Sequence, residues 1–174
     1  MTVWTETLEA FRQKLASREP VPAGVTAAAV TASMALGLLI KVLDITRNRK
    51  SFAGDAEEFH RLIHAARNEA QRVAQCADDD IAAFQAYVAD HSITRPAIEV
   101  PLVAAEAAAA GLKLCREATP LINETLAPDL ETAIALLDAA IAGILGSIDS
   151  NLRRESDAQY RSMIEARVGG IRGC

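Results

Sequence analysis

The sequence predicts an all-α fold, an up-and-down bundle of five to six helices, from three observations. Apolar residues recur at three- and four-residue intervals along nearly all of the 174 residues, and no run alternates β-branched with polar residues as a half-buried strand would. The composition is 51% hydrophobic but only 4% aromatic. Much of that apolar share is alanine, which costs least in a helix and lets helix axes approach closely. Finally, there is no internal repeat and no linker long enough to divide the chain, so residues 1–168 read as one helical domain.

The elements follow in order. The first helix starts near Thr5, an N-cap candidate, carries Leu8, Phe11 and Leu15 on one face, and stops before Glu19-Pro20-Val21-Pro22-Ala23-Gly24. The second runs from about Val25 to Thr46, apolar all round in its first half as expected of a helix surrounded by others. A basic turn, Arg47-Asn48-Arg49-Lys50, ends it. The third is capped by Asp55 after Gly54 and continues to about Ala89. His91 to Arg95 form the next break. Pro96 and Pro101 sit early in the fourth helix, which ends near Arg116.

The turn Pro120 to Ala127 leads to Asp129, the expected N-cap of a fifth helix. That helix carries Leu130, Ile134, Leu137, Ile141, Leu145, Ile148 and Leu152 in three-four spacing. Arg153 to Val168 is amphipathic through Tyr160, Met163 and Ile164, and residues 169–174 are expected to form a flexible tail.

Charge and cysteine usage exclude some functions. A net charge of -5 argues against a general nucleic-acid binder, which gains affinity by neutralising phosphates, and against a polybasic membrane-surface role. Cys76, Cys115 and Cys174 are odd in number and lack CxxC spacing, so the expectation is a reducing cytoplasm and no disulfide framework. The uncharged stretch from Pro20 to Ile40 approaches membrane-spanning length. Its prolines, hydroxyl residues and alanines read instead as a buried central helix, and no membrane partner is expected.

One residue breaks the pattern. The seam of the third helix runs through Phe59, Ile63, Ala66, Ala70, Val73 and Ala77, then Phe84 and Tyr87, and its position between Ala77 and Phe84 is Asp80. Of Asp78, Asp79 and Asp80, the periodicity turns only Asp80 inward. A buried carboxylate is costly unless paired, hydrogen-bonded or protonated, and burial raises its pKa toward the range useful to a general acid or base. The alternative is that Asp80 bonds a neighbouring helix end and does no chemistry.

Other constellations are weaker. His60 and His64 share a face at zinc-binding spacing, but Arg61 follows His60 and no third ligand is evident, so no metal is expected. Arg47, Arg49 and Lys50 could receive an anion or simply complement the helix dipole. The Gly24 turn offers backbone N–H groups to an anion. Asp138 lies near the stripe of the fifth helix as a candidate second inward acid. Cys76 and Cys115 read as small core hydrophobes.

These residues together resemble the cyclodeaminase/cyclohydrolase family, which includes the cyclodeaminase domain of formiminotransferase-cyclodeaminase and bacterial methenyltetrahydrofolate cyclohydrolases. The likeness runs from about Leu8 to Leu152. The family's "LASxxPxPGGGS" reads here as Leu15-Ala16-Ser17 followed by Pro20 to Thr26, and its "NLTxGKKKY" as Asp44-Ile45-Thr46-Arg47-Asn48-Arg49-Lys50-Ser51-Phe52. Its "DxxAF" is Asp80-Ile81-Ala82-Ala83-Phe84, and its "EVPL" is Glu99-Val100-Pro101-Leu102. The late "SDxGVAALLAEAALxGAxLNVxINL" is echoed from Pro128-Asp129 to Ser150-Asn151-Leu152.

The resemblance implies a homodimeric helical domain holding a tetrahydrofolate derivative as substrate, in one-carbon metabolism, with no separate cofactor. It places Asp80 at the reaction centre as the catalytic residue. The substrate-binding residues it suggests are Pro22, Gly24 and Thr26 of the glycine-type turn, then Arg47, Arg49 and Lys50, then Phe84 and Asp129. Departures from the family pattern are Ala23 and Val25 for two glycines, Asp44 for Asn, Phe52 for Tyr, Glu131 for Gly and Ser147 for Asn.

Three functions follow from these residues and this resemblance. The first is a hydrolase or lyase on a cyclic C–N bond, by acid/base catalysis without metal. Its substrate carbon is already electrophilic, Lys50 with Arg47 or Arg49 holds the ligand's carboxylates, and the N-terminus of the second helix faces polar ligand atoms. The second is the same fold turned to opening or closing a non-folate ring, suggested by the lost glycines. The third is a non-catalytic ligand-binding or structural dimer.

Overall fold

A computed structural model of the chain describes residues 2–50 and 52–173. Among these there are helices and no strand. A single 3-10 turn, Val3–Thr5, precedes α1 (Leu8–Leu15). The later helices are α2 (Gly24–Arg47), α3 (Ala56–Ala89), α4 (Pro96–Ala118), α5 (Ala127–Leu152) and α6 (Ala158–Arg172).

α2, α3, α4 and α5 form the bundle. α2 packs on α3 and α5, and α4 packs on the same two from the opposite side. Short connections make neighbours antiparallel. Thr26 at the start of α2 accordingly meets Asp80 late in α3, and Asn151 at the end of α5 meets Ala97 at the start of α4. Lys41 late in α2 likewise meets Asp129 early in α5. Leu36, Leu39 and Leu43 from α2 share one buried core with Leu62 of α3, Leu112 of α4 and Leu137 of α5. Close approach across the bundle diagonal requires Gly111 of α4, where an added Cβ would lie 2.6 Å from Leu36 Cδ2.

The helix ends show where local chemistry departs from the expectations. α1 is capped by Thr7, whose hydroxyl accepts from Ala10 N, because Thr5 is already used in the 3-10 turn, where it bonds back to Thr2. Its expected apolar face is partial. Phe11 packs on the core, but Leu8 is 71% exposed and Leu15 is exposed as well. α3 has its expected cap, with Asp55 Oδ1 accepting from Glu57 N at 2.9 Å.

α5 begins two residues before Asp129. Asp129 sits in its first turn rather than at the N-cap, where an acid still complements the helix dipole. Residues 169–172 are helical, not a loose tail. Tyr160, Ile164, Val168 and Ile171 form one buried stripe of α6, which packs on α4, and that burial offsets the cost of Gly169 and Gly170 inside the helix. Met163 lies off the stripe and is exposed, contrary to expectation. Cys174 lies outside the described residues.

Both α2 and α5 are long and apolar enough to cross a membrane by length and composition. Half of the most apolar stretch of α2 and a third of that of α5 are buried. Met34 and Ile45 of α2 face outward, as do Ala135, Ala139 and Gly143 of α5.

Candidate functional site

The N-terminus of α2 lacks a side-chain cap, because Ala23 offers no acceptor to the unpaired N–H groups of the first turn. Asp80 of α3 supplies one from across the bundle. Its Oδ2 accepts from Thr26 N at 3.1 Å and from Thr26 Oγ1 at 2.7 Å. A negative charge at a helix N-terminus is favourable, and Thr26 is fully buried, so the contact is well defined. Oδ1 takes no bond among the described residues and is left to the adjacent cleft.

That cleft exists because α3 is longer than α2. Beyond Asp80, α3 continues for nine residues to Ala89, about 13 Å past the level of Thr26. The overrun presents Phe84 and Tyr87, with His91 just after the helix. Tyr87 and His91 stack, with centroids 4.8 Å apart and planes inclined by 28°. The start of α4 and the end of α5 close the other sides of a cavity of about 390 Å³. A second hollow of about 230 Å³ opens toward the turn at Pro20 to Gly24. Val25, Asp80, Phe84 and Ser147 belong to both, so Asp80 stands at the junction of a two-lobed cleft.

A proline holds the far wall together. Pro101 lies inside α4 and has no N–H to give the carbonyl of Ala97 four residues earlier. Asn151 Nδ2 takes that carbonyl at 2.7 Å, tying the end of α5 to the start of α4 beside the cavity. Burial pushes the Asp80 carboxyl above its ordinary range, and the two Thr26 bonds offset part of the shift. A carboxyl so placed, with one oxygen held by Thr26 and a raised proton affinity, is suited to take a proton and return it.

The structure brings Asp80, Thr26, Gly24 and Phe84 together, as expected. Pro22, preceded by a cis peptide bond at Val21–Pro22, is buried behind the turn and does not line the cleft. Gly24 has ordinary φ, and a Cβ there would meet nothing within 4 Å. Val25, in place of a family glycine, instead puts a buried side chain at the junction of the lobes.

Arg47, Arg49, Lys50 and Asp129 lie elsewhere. From Thr26 to Arg47 is 21 residues of one helix, about 30 Å. At that far end Arg47 pairs with Asp44 at 3.0 Å, Arg49 donates to Thr125 at 3.0 Å, and Asp129 faces Lys41 at 3.7 Å. Within one chain, therefore, the expected carboxylate-binding cations do not reach a ligand at Asp80. The helix expected from about Val25 to Thr46 already implied that separation, against the grouping that the resemblance suggested.

Other candidates are corrected or placed. Asp138 is exposed rather than inward. Asp78 is more engaged than the periodicity implied, accepting from Val3 N at 2.8 Å and from Thr2 Oγ1. His60 and His64 are exposed, and no group of three metal-ligating side chains converges among the described residues. Cys76 and Cys115 are buried, with thiols pushed up to about 11 and about 12 by burial, which keeps them protonated.

Sequence reasoning missed His91, Arg154 and Glu155 on the cavity wall. For His91 a signal existed, since Asp80, Phe84, Tyr87 and His91 continue one helical face in steps of four, three and four. Arg154 and Glu155 follow the end of α5 in a turn, where no periodicity announces direction.

No curated protein matches this chain in sequence. The crystal structure of formiminotetrahydrofolate cyclodeaminase from Thermotoga maritima has the same fold, with a TM-score of 0.93 over 98% of this chain and 90% of that one. Identity between the two is 21%, so the likeness is one of architecture. The sequence pattern of the formiminotransferase-cyclodeaminase family matches residues 7–169. With nearly its whole length inside that pattern, the chain belongs to the formiminotransferase-cyclodeaminase family.

Proposed function

We propose that this protein catalyses acid–base chemistry at a cyclic C–N bond, most directly hydrolysis of the methenyl bridge of a tetrahydrofolate. The observation that carries the reading is Asp80 at the junction of the two lobes, with a raised pKa, one oxygen fixed by Thr26 and the other uncommitted. The bridge carbon of the substrate is an amidinium carbon, electrophilic without further activation. As water adds and its C–O bond forms, ionised Asp80 takes one water proton. The C–N bond then breaks with its electron pair going to nitrogen, and Asp80 returns the proton there. The hydroxyl proton goes to solvent as the formyl C=O forms. Thr26 keeps the carboxylate from rotating between the two transfers.

Loss of ammonia from a formimino group uses the same proton return at the departing nitrogen, so deamination fits the same residues. A second reading, a non-folate ring opened or closed in the same cleft, is favoured by Val25, whose side chain narrows the junction where the family has glycine. Methenyltetrahydrofolate absorbs in the near ultraviolet and loses that band on hydrolysis. Bleaching by the protein well above the spontaneous rate is the expected result. Bleaching at the spontaneous rate in several buffers rejects the methenyl-hydrolysis reading and leaves the second reading in its place.

A further inference from the structure

The proposed chemistry needs a ligand-binding charge as well as an acid, and the cations expected for it stand about 30 Å away at the other end of α2. Of the arginine and lysine side chains among the described residues, Arg154 is the one that lines the cleft. It lies in the turn after α5, exposed, and forms no ion pair among the described residues. Its neighbour Arg153 points to a different groove, shared with Arg161 and Arg172, so the turn directs two consecutive arginines to separate surfaces. Glu155 also lines the cleft, but its Oε1 accepts from Asp157 N at 2.9 Å at the start of α6.

The α3 wall of the same cavity is aromatic, built by Phe84, Tyr87 and the stacked His91. A ring wall with a lone guanidinium on the same cavity suits a flat heterocycle that carries a carboxylate. The ring takes the apolar surface, and the planar fork of arginine takes the anion.

We propose that Arg154 is the specificity-determining residue of this cleft and binds the carboxylate of the substrate's tail while its ring lies against Phe84 and Tyr87. The inference rests on the folate reading, because it names which side chain replaces the remote Arg47, Arg49 and Lys50 in holding that substrate. It is tested with two stable probes, 5-formyltetrahydrofolate and 5-formyltetrahydropterin, which has the same ring without the carboxylate tail. Binding of each is measured by calorimetry to the wild-type chain, Arg154→Gln and Lys50→Gln, after matching thermal melts establish that both variants fold.

Wild type should prefer the folate. Arg154→Gln should weaken folate binding by about ten- to a hundredfold, the loss expected for a charged hydrogen bond, and leave pterin binding unchanged. Lys50→Gln should change neither. If Arg154→Gln binds the folate as tightly as wild type does, or if Lys50→Gln carries the loss, the role of Arg154 is overturned while the folate reading stands. Binding of neither probe by wild type rejects the folate reading and this inference together.

Discussion

Asp80 divides its work between two oxygens, and the division can be measured. Oδ2 caps the start of α2 through Thr26, whereas Oδ1 faces the cleft. Because folding raises the pKa of this group, the folded chain holds the proton more tightly than the unfolded chain does. The stability it contributes is therefore full below the unfolded value and is lost as pH rises through the folded one. Asp80→Asn keeps an oxygen for both Thr26 bonds but cannot ionise. Its stability relative to wild type should rise as pH climbs from the unfolded carboxylate value through the higher folded one and then level off, as read by urea denaturation at a series of pH values. A constant difference across that range would show that burial does not perturb Asp80. Periodicity alone made the inward turn of this residue legible, since Asp80 fills a seam position. It could not show Thr26 as the partner, which comes from another helix 54 residues away in sequence.

At the scale of elements, the cleft is made by a length mismatch and a missing N–H. The overrun of α3 was readable, because its seam continues in step through Phe84 and Tyr87. The Ala97 carbonyl freed by Pro101 was readable too, but not its capture by Asn151. Removing that capture leaves a partly buried carbonyl unpaired, so Asn151→Ala should cost about 1–2 kcal/mol in denaturation experiments. Adding Pro101→Ala supplies the missing N–H and should recover part of the loss; equal stability of the single variant and wild type would show that the bond carries no weight. Helix ends were the least legible features. Thr5 and Thr7 are equally good caps by residue type, and Gly169-Gly170 signals a helix stop that the burial of Ile171 overrides.

For the whole molecule, the periodic pattern was enough to predict the up-and-down bundle. The separation of Lys50 from Thr26 was legible, since the helix expected from about Val25 to Thr46 puts the two at its opposite ends; that Asp80 joins Thr26 was not. The outward apolar faces of α2 and α5 lead to the prediction that a second copy covers them. Light scattering should return a dimer mass, and a monomer at assay concentration contradicts that expectation.

The bundle places one partly desolvated acid where its two hollows meet, and the functional account depends on that acid carrying protons. Turnover of methenyltetrahydrofolate by Asp80→Asn, with a melting curve of the same variant alongside, tests this most directly. Asp80→Asn should fold normally while its turnover falls by about a hundredfold or more, the usual contribution of a positioned general acid–base. A folded Asp80→Asn chain that bleaches the substrate at the wild-type rate would contradict it.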